Sequence, residues 1–292
     1  MSIVSDRQLI TAGIDGSAES LAAADWAARE ALLRELPLHL VHAFDQPSER
    51  THLPEIEVPF HRESGALDRA VLRLSSAHPG LGILDEQVTT PPVEALVEAA
   101  QSSSLLVLGS RGFGAFAGTL VGSVATAVTA RASCPVVLVR ASANPGSREP
   151  SKKPGKEPAE RFGPVVLGLD LEHPCDELIE FAFVMATLHD VPLQVVHTWA
   201  VPLVPSAAAT DPAASKSRLL TAALAPWRHR HPTAQVTRRL VHGLARHHLV
   251  KAATEAGLLV IGRRIPAGEH LGPTAHAAIH HARCPVAVVP HD

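Results

Sequence analysis

Cysteine is scarce: Cys134, Cys175 and Cys284 are the only three in 292 residues. An odd number without pairing spacing excludes a disulfide framework and implies reduced thiols in a cytoplasmic protein. Long apolar runs are missing too. No window approaches 18 uninterrupted apolar residues, so no membrane span is expected. The opening "MSIVSDRQLITAGID" has no basic segment followed by a long apolar stretch, so no secretory leader is expected. Neither sign of charge dominates. The formal net charge of −3 argues against a strongly basic nucleic-acid or membrane-surface binder.

What the chain does have is a repeat. "LITAGIDGSAES" resembles "VVLGLDLEHPCDEL", each an apolar run ending in Gly-x-Asp, and "PLHLVHAF" matches "PLQVVHTW". Gly13 and Gly168, and Pro37 and Pro192, are both 155 positions apart. "SLLVLGSRG" matches "GLLVIGRRI", and "RASCPVVLV" matches "HARCPVAVV". The same four apolar blocks therefore occur twice in the same order, as a tandem fold requires. Between the copies lies "NPGSREPSKKPGKEPAE", rich in proline, glycine and charge and without apolar periodicity. We expect domains at 1–143 and 161–292, joined by a linker at 144–160.

In the first copy, short apolar runs predict buried strands at 9–14, 38–43, 82–89, 105–108 and 135–139. Helical patterns lie between them, at 18–36, 65–77, 92–102 and 123–132. The first has Leu21, Ala24, Trp26, Ala28, Leu32 and Leu33 on a broad apolar face, with Ser17 or Ser20 as candidate caps. Alternation of this kind predicts an α/β fold with a parallel, doubly wound sheet. Ligands of such sheets bind beyond the carboxyl ends of the strands. That rule brings together Asp15, Ala43, the loop after Gly109 and the helix that starts at Ser123.

The loop "LGSRGFGAFAGTLVGSVATAV" invites three nucleotide readings. A Walker A loop needs a Lys-Ser/Thr pair after its glycines, and none follows Gly109, Gly112, Gly114, Gly118 or Gly122. "GFGAFA" matches the dinucleotide fingerprint, but no Asp or Glu occurs between Arg111 and Arg148 to hold a ribose. The wider pattern Gly109-x2-Gly112-x9-Gly122-Ser123 has better physical logic. Gly109 and Gly112 would let backbone amides approach phosphate oxygens. Gly122 and Ser123 would open a helix whose free N–H groups favour anions. Spacing alone supports equally a plain glycine-rich loop with Ser123 as an N-cap; capping of the first helix is the lesser alternative for Asp15.

Taken together, the two copies of "GID", "LVHAF", "LLVLGSRG-x9-GS" and "CPVVLV" resemble a tandem universal stress protein of the ATP-binding kind. The resemblance covers nearly the whole chain outside the linker. It implies two Rossmann-like domains related to the adenine nucleotide alpha hydrolases, each with a five-stranded, mainly parallel sheet. It also implies an ATP site in the first domain, where a magnesium ion could ride on the phosphates. Gly13, Ile14 and Ala43 would line the adenine pocket, and Asp15 would lie near the ribose or metal. Gly109, Arg111, Gly112, Gly122, Ser123 and Val124 would surround ribose and phosphates. The implied role is that of a stress-response regulator whose nucleotide occupancy tunes conformation, assembly or partner binding. A slow ATPase is the alternative. The last strands of such proteins pair across domains or subunits, so a homodimer with pseudo-dimeric packing of the two domains is expected.

In the second copy the loop reads "GRRIPAGEHLGPTAHAAIHH". Ile265 stands where Gly112 does, Pro273 where Ser123 does, and Gly262 to Gly272 is three positions shorter than Gly109 to Gly122. Weak or absent ATP binding is expected there, although Asp170 is kept and Arg263 and Arg264 remain to hold an anion. Thirteen of the 18 histidines lie in this copy. His276 and His280 have metal-compatible spacing but no accompanying HExxH glutamate, so no metal site is expected. His42, with its repeat His197, is expected to be a packed strand histidine.

Overall fold

The computed structural model describes residues 8–44, 60–111, 121–141, 162–173, 175–199 and 212–292. The chain divides into two compact units, Met1–Asn144 and Pro145–Asp292. In the first, the order is β1 (Leu9–Gly13), α1 (Ala18–Arg34), β2 (Leu38–Ala43), α2 (Phe60–Ala77), β3 (Ile83–Val88), α3 (Pro92–Ser102), β4 (Ser103–Gly109), α4 (Ser123–Arg131) and β5 (Val136–Val139). Its strands lie in the order β3-β2-β1-β4-β5, and the neighbours are parallel. The second repeats the plan with β6 (Val165–Gly168), α5 (Asp176–Leu188), β7 (Leu193–Trp199), α6 (Pro212–Arg230), β8 (Val236–His242), α7 (Ala245–Ala252), β9 (Leu258–Arg264), α8 (Pro273–His281) and β10 (Val286–His291). Its order is β8-β7-β6-β9-β10, again parallel. Each unit is thus a Rossmann-like α/β domain. The strand order reverses beside β1 in one and β6 in the other, which opens a crevice at the carboxyl ends there.

Helices on both faces explain the unbroken apolar strands. Leu105–Leu108 and Val136–Val139 are all buried, as expected of a parallel sheet covered on both sides. The edge strand β3 is different, with Leu84 52% exposed. α1 meets the sheet through small residues: Ala22, Ala23, Ala24, Ala27, Ala28 and Ala31 are buried with Trp26. Leu32 and Leu33 are 40% and 46% exposed, which corrects their assignment to the apolar face. α1 stops at Arg34 because Glu35 turns left-handed at φ 55°, and Pro37 disfavours a helical Leu36. α2 starts at Phe60 rather than Gly65. A glycine costs a helix interior about 1 kcal/mol without ending it.

Buried charges on α1 are paired. Glu30, 1% exposed, accepts a hydrogen bond from Arg34 Nε at 3.1 Å. Asp25 is paired with Arg73 of α2. No helix among the described residues is long and apolar enough to cross a membrane.

Candidate functional site

In the first unit the end of β1 is tied to β2 twice. Ile14 N–H donates to Val41 O at 2.8 Å, and His42 Nδ1–H donates to Ile14 O at 2.7 Å. Both backbone polar groups of Ile14 are therefore committed. Gly13 lies against Leu108, whose Cδ2 would be 2.7 Å from an added Cβ. Asp15 follows, and its Oδ1 accepts the Ser17 N–H at 2.9 Å and the Ser17 hydroxyl at 2.6 Å. This is an Asx turn, and Gly16 takes its left-handed position at φ +83°. Ser17 is the N-cap of α1, its Oγ accepting Ser20 N–H at 3.1 Å. Asp15 thus supports the cap and is not the cap itself. Ala43 closes β2, half-buried and in register with Val88 of β3.

β4 delivers the other wall. An added Cβ at Gly109 would lie 2.8 Å from both Glu19 C and Ser20 N of α1. The side of Gly109 where a Cβ would lie is therefore taken by the start of α1. Ser110 N–H donates to Val139 O, and Gly122 N–H donates to Ser110 O, each at 2.8 Å. The second bond joins the two ends of the glycine loop. Arg111 Nε is 3.5 Å from the Glu19 carboxylate. Gly122 is the N-cap of α4 and offers no side-chain bond, so Ser123 is the first helical residue and not the cap. Ser123 is exposed, Val124 is half-buried, and no acidic residue sits in the first turn. Such a helix start is electrostatically open to an anion. Gly112 lies outside the described residues.

Sequence reasoning named Ser17 and Ser20 as candidate caps but missed Glu19 and Ser110 as parts of this framework. The signal for the turn itself was present in "DGSAES", an Asx turn leading into a cap. Ser110 is 1% exposed, and its hydroxyl has no hydrogen-bond partner among the described residues. Nor is His42 fully satisfied, as expected of a packed histidine. Its Nε2 is buried without a partner among those residues, and His197 repeats both features, with Nδ1–H donating to Leu169 O at 2.8 Å.

The second unit holds a cavity of about 360 Å³ at the corresponding place. Gly168, Leu169, Asp170 and Thr198 line it, where the first copy has Gly13, Ile14, Asp15 and Ala43. Gly262 and Arg264 correspond to Gly109 and Arg111, and Gly272, Pro273 and Thr274 to Gly122, Ser123 and Val124; all five also line it. Asp170 repeats the Asx turn by accepting Glu172 N–H at 3.0 Å, and its other oxygen is 3.0 Å from His173 Nδ1. Burial pushes its carboxyl pKa up, but the Glu172 N–H, His173 and His197 outweigh that and leave it lowered.

Cys175 stands where Ser20 does and caps α5 without a side-chain bond to it. Burial, with Asp170, Asp176 and Glu177 nearby, pushes its thiol pKa up to about 11. Because the thiolate is the nucleophile, the folded chain is expected to resist iodoacetamide at Cys175 at pH 8. Raising the pH toward 11 should speed labelling more than for a free thiol; peptide mass spectrometry of timed samples checks this. Cys134 and Cys284 are buried too, at 1% and 7% exposure. Labelling of Cys175 at the rate of the unfolded chain at pH 8 would contradict the assignment.

The family model described as the universal stress protein family matches residues 7–140 and again 161–290. A universal stress protein of Mycobacterium tuberculosis strain H37Rv is 32% identical over 295 residues, covering 96% of this chain and 95% of its own. A second one from that strain is 29% identical over 303 residues, covering 96% of both chains. Among solved structures, a universal stress protein from Archaeoglobus fulgidus DSM 4304 has a TM-score of 0.67 at 16% identity. It covers 98% of this chain and 99% of its own.

Proposed function

This chain belongs to the universal stress protein family, and on that premise we propose that its first unit binds ATP and acts as a nucleotide-dependent regulator. The observation that carries this reading is the bond from Gly122 N–H to Ser110 O at 2.8 Å. It draws the end of β4 and the start of α4 together, so the glycine loop closes next to an uncapped helix terminus. A triphosphate there would meet the free N–H groups of the first turn of α4 and the Ser123 hydroxyl. Arg111 would add positive charge, offset in part by Glu19. The adenine would lie toward Gly13, Ile14 and Ala43.

Asp15 Oδ1 already accepts two bonds from Ser17, and no group of three metal-ligating side chains occurs among the described residues. A magnesium ion would therefore rest mainly on phosphate and water oxygens, as is usual for this ion. Nucleotide acts on the rest of the molecule through differential affinity for two states. Occupancy at 100 times Kd would stabilise the bound state by about 2.7 kcal/mol.

The test is isothermal titration of the full chain with ATP, ADP and AMP, alongside identification of any nucleotide extracted from the purified protein. We expect one ATP per chain and turnover far below the ordinary enzyme value of about 10 s⁻¹. Failure to bind any adenine nucleotide, or two equal sites per chain, would overturn the proposal. Fast multiple turnover would favour the ATPase reading.

A further inference from the structure

We propose that β3 of one molecule pairs with β8 of another, so that this chain assembles with itself through two edge strands of opposite charge. The pairing needs no nucleotide in the first unit. It follows from how the two copies of the repeat differ at their outermost strands.

β3 ends the strand order of the first unit, and β8 holds the same place in the second. Among the described residues β3 pairs with β2 alone and β8 with β7 alone. The free side of such an edge presents backbone N–H and C=O groups to any strand that can lie beside it.

The two edges match position by position. Leu38 and Leu193, 155 residues apart, pair with Ile83 and Val236. Two positions on, Leu40 pairs with Asp85 and Val195 with Arg238. Next, Val41 pairs with Glu86 and Val196 with Arg239. The same two places therefore carry carboxylates in the first unit and guanidinium groups in the second. All four residues are exposed. Glu86 is 3.0 Å from His39 Nε2, and Arg238 donates to the Thr221 hydroxyl. The side chains of Asp85 and Arg239 have no ion-pair partner among the described residues.

The contrast extends beyond the strands. Residues 60–102, from α2 to α3, hold six Asp or Glu and three Arg. Residues 212–252, from α6 to α7, hold no Asp or Glu and eight Lys or Arg. Charge on an edge strand ordinarily prevents pairing. Here it does so between like edges only, because two β3 strands repel and two β8 strands repel. A β3 beside a β8 sets Asp85 and Glu86 across from Arg238 and Arg239 in either strand direction, and opposite charges across a ladder attract. A nucleic acid or an anionic membrane would account for the basic edge alone. A second molecule of this chain accounts for both edges. Each molecule that pairs through β3 keeps its own β8 free, so growth does not stop at two.

Sedimentation velocity of the full chain tests this, at about 10 mM and about 1 M salt, where the screening length falls from about 30 Å to about 3 Å. At low salt the average mass should rise past that of a dimer as concentration rises, and high salt should reverse the growth. Asp85→Arg with Glu86→Arg makes both edges basic, and Arg238→Glu with Arg239→Glu makes both acidic. Each double variant alone should associate at least about tenfold more weakly. An equimolar mixture of the two should regain the growth, which misfolded chains could not do. Should a double variant fail to fold, Asp85→Lys and Arg239→Glu as single changes at exposed positions are each expected to weaken association a few-fold. A mass that is constant with concentration at low salt, or that saturates at a dimer, would overturn the proposal. So would association that survives charge reversal on either edge, or folded double variants that stay apart when mixed. Binding of duplex DNA or anionic vesicles through Arg238 and Arg239, by a chain that stays single, would overturn it in favour of another partner.

Discussion

Replacing Ser123 by proline should cost the chain about 100-fold in ATP affinity while leaving its fold intact. The substitution removes one backbone N–H and one hydroxyl from the start of α4. Each is a hydrogen-bond donor to a charged oxygen, worth about 1.5 kcal/mol at the low end, and two such losses correspond to about two decades in Kd. The fold should tolerate the change because proline suits the first helical position. The second copy already contains that arrangement. Gly272 precedes Pro273 at φ −64°, ψ 165°, and Gly122 precedes Ser123 at φ −73°, ψ 156°. Both are extended, as a residue before proline prefers. Calorimetry with ATP and a thermal melt of the same preparation decide the matter. Unchanged affinity would mean that the phosphates do not lie at α4. The converse change, Pro273→Ser, should not create a second ATP site, because Ile265 and the extended β9 remain.

The order of strands and helices was legible because the repeat presents each apolar block twice. Parallel strands covered on both faces leave continuous runs such as "LLVL" and "VVLV", which need no periodicity to be found. The cap at Ser17 was equally open to view. Contacts between elements distant in sequence were not. Nothing local to "LVLGSRG" says that Gly109 touches the backbone of Glu19 and Ser20, ninety positions earlier. Leu32 and Leu33 fit a helical apolar face by composition, yet the six alanines beside them form the tight contact and leave both leucines exposed in part. The extension of β9 was hidden for a related reason. "GRRI" has the look of an eroded loop, and only pairing of Arg263 and Arg264 with β10 makes it strand. His42 shows the limit for single side chains: the repeat at His197 signalled a shared role, but not that one nitrogen is bonded and the other has no partner among the described residues.

Gly109→Ala should destabilise the first unit by about 1–3 kcal/mol, the range for an overpacked site, and Gly262→Ala should cost the second unit less. The added methyl has different neighbours at these equivalent positions. At Gly109 it meets backbone, Glu19 C and Ser20 N at 2.8 Å. Backbone at a helix start cannot swing aside, so α1 must shift as a body and carry the Ser17 cap and the Asp15 turn with it. ATP affinity should fall together with stability. At Gly262 the nearest atom is His291 Nε2, the far end of a side chain, with Leu178 Cδ2 at 3.2 Å behind it. His291 can rotate away at the expense of its Nδ1–H bond to Asp292 O, 2.9 Å long. Removing that ring should relieve the clash, so Gly262→Ala in a His291→Ala background is expected to be milder by about 1 kcal/mol, a coupling typical of residues in contact. Separate melts of the two units within the full chain, assigned by which transition ATP raises, read both effects. A Gly109→Ala chain with unchanged melting would show that α1 lies farther from β4 than the 2.8 Å separations imply. Absence of coupling between positions 262 and 291 would remove His291 from the cavity wall, while a positive result would place it at Gly262, where the first unit has its helix.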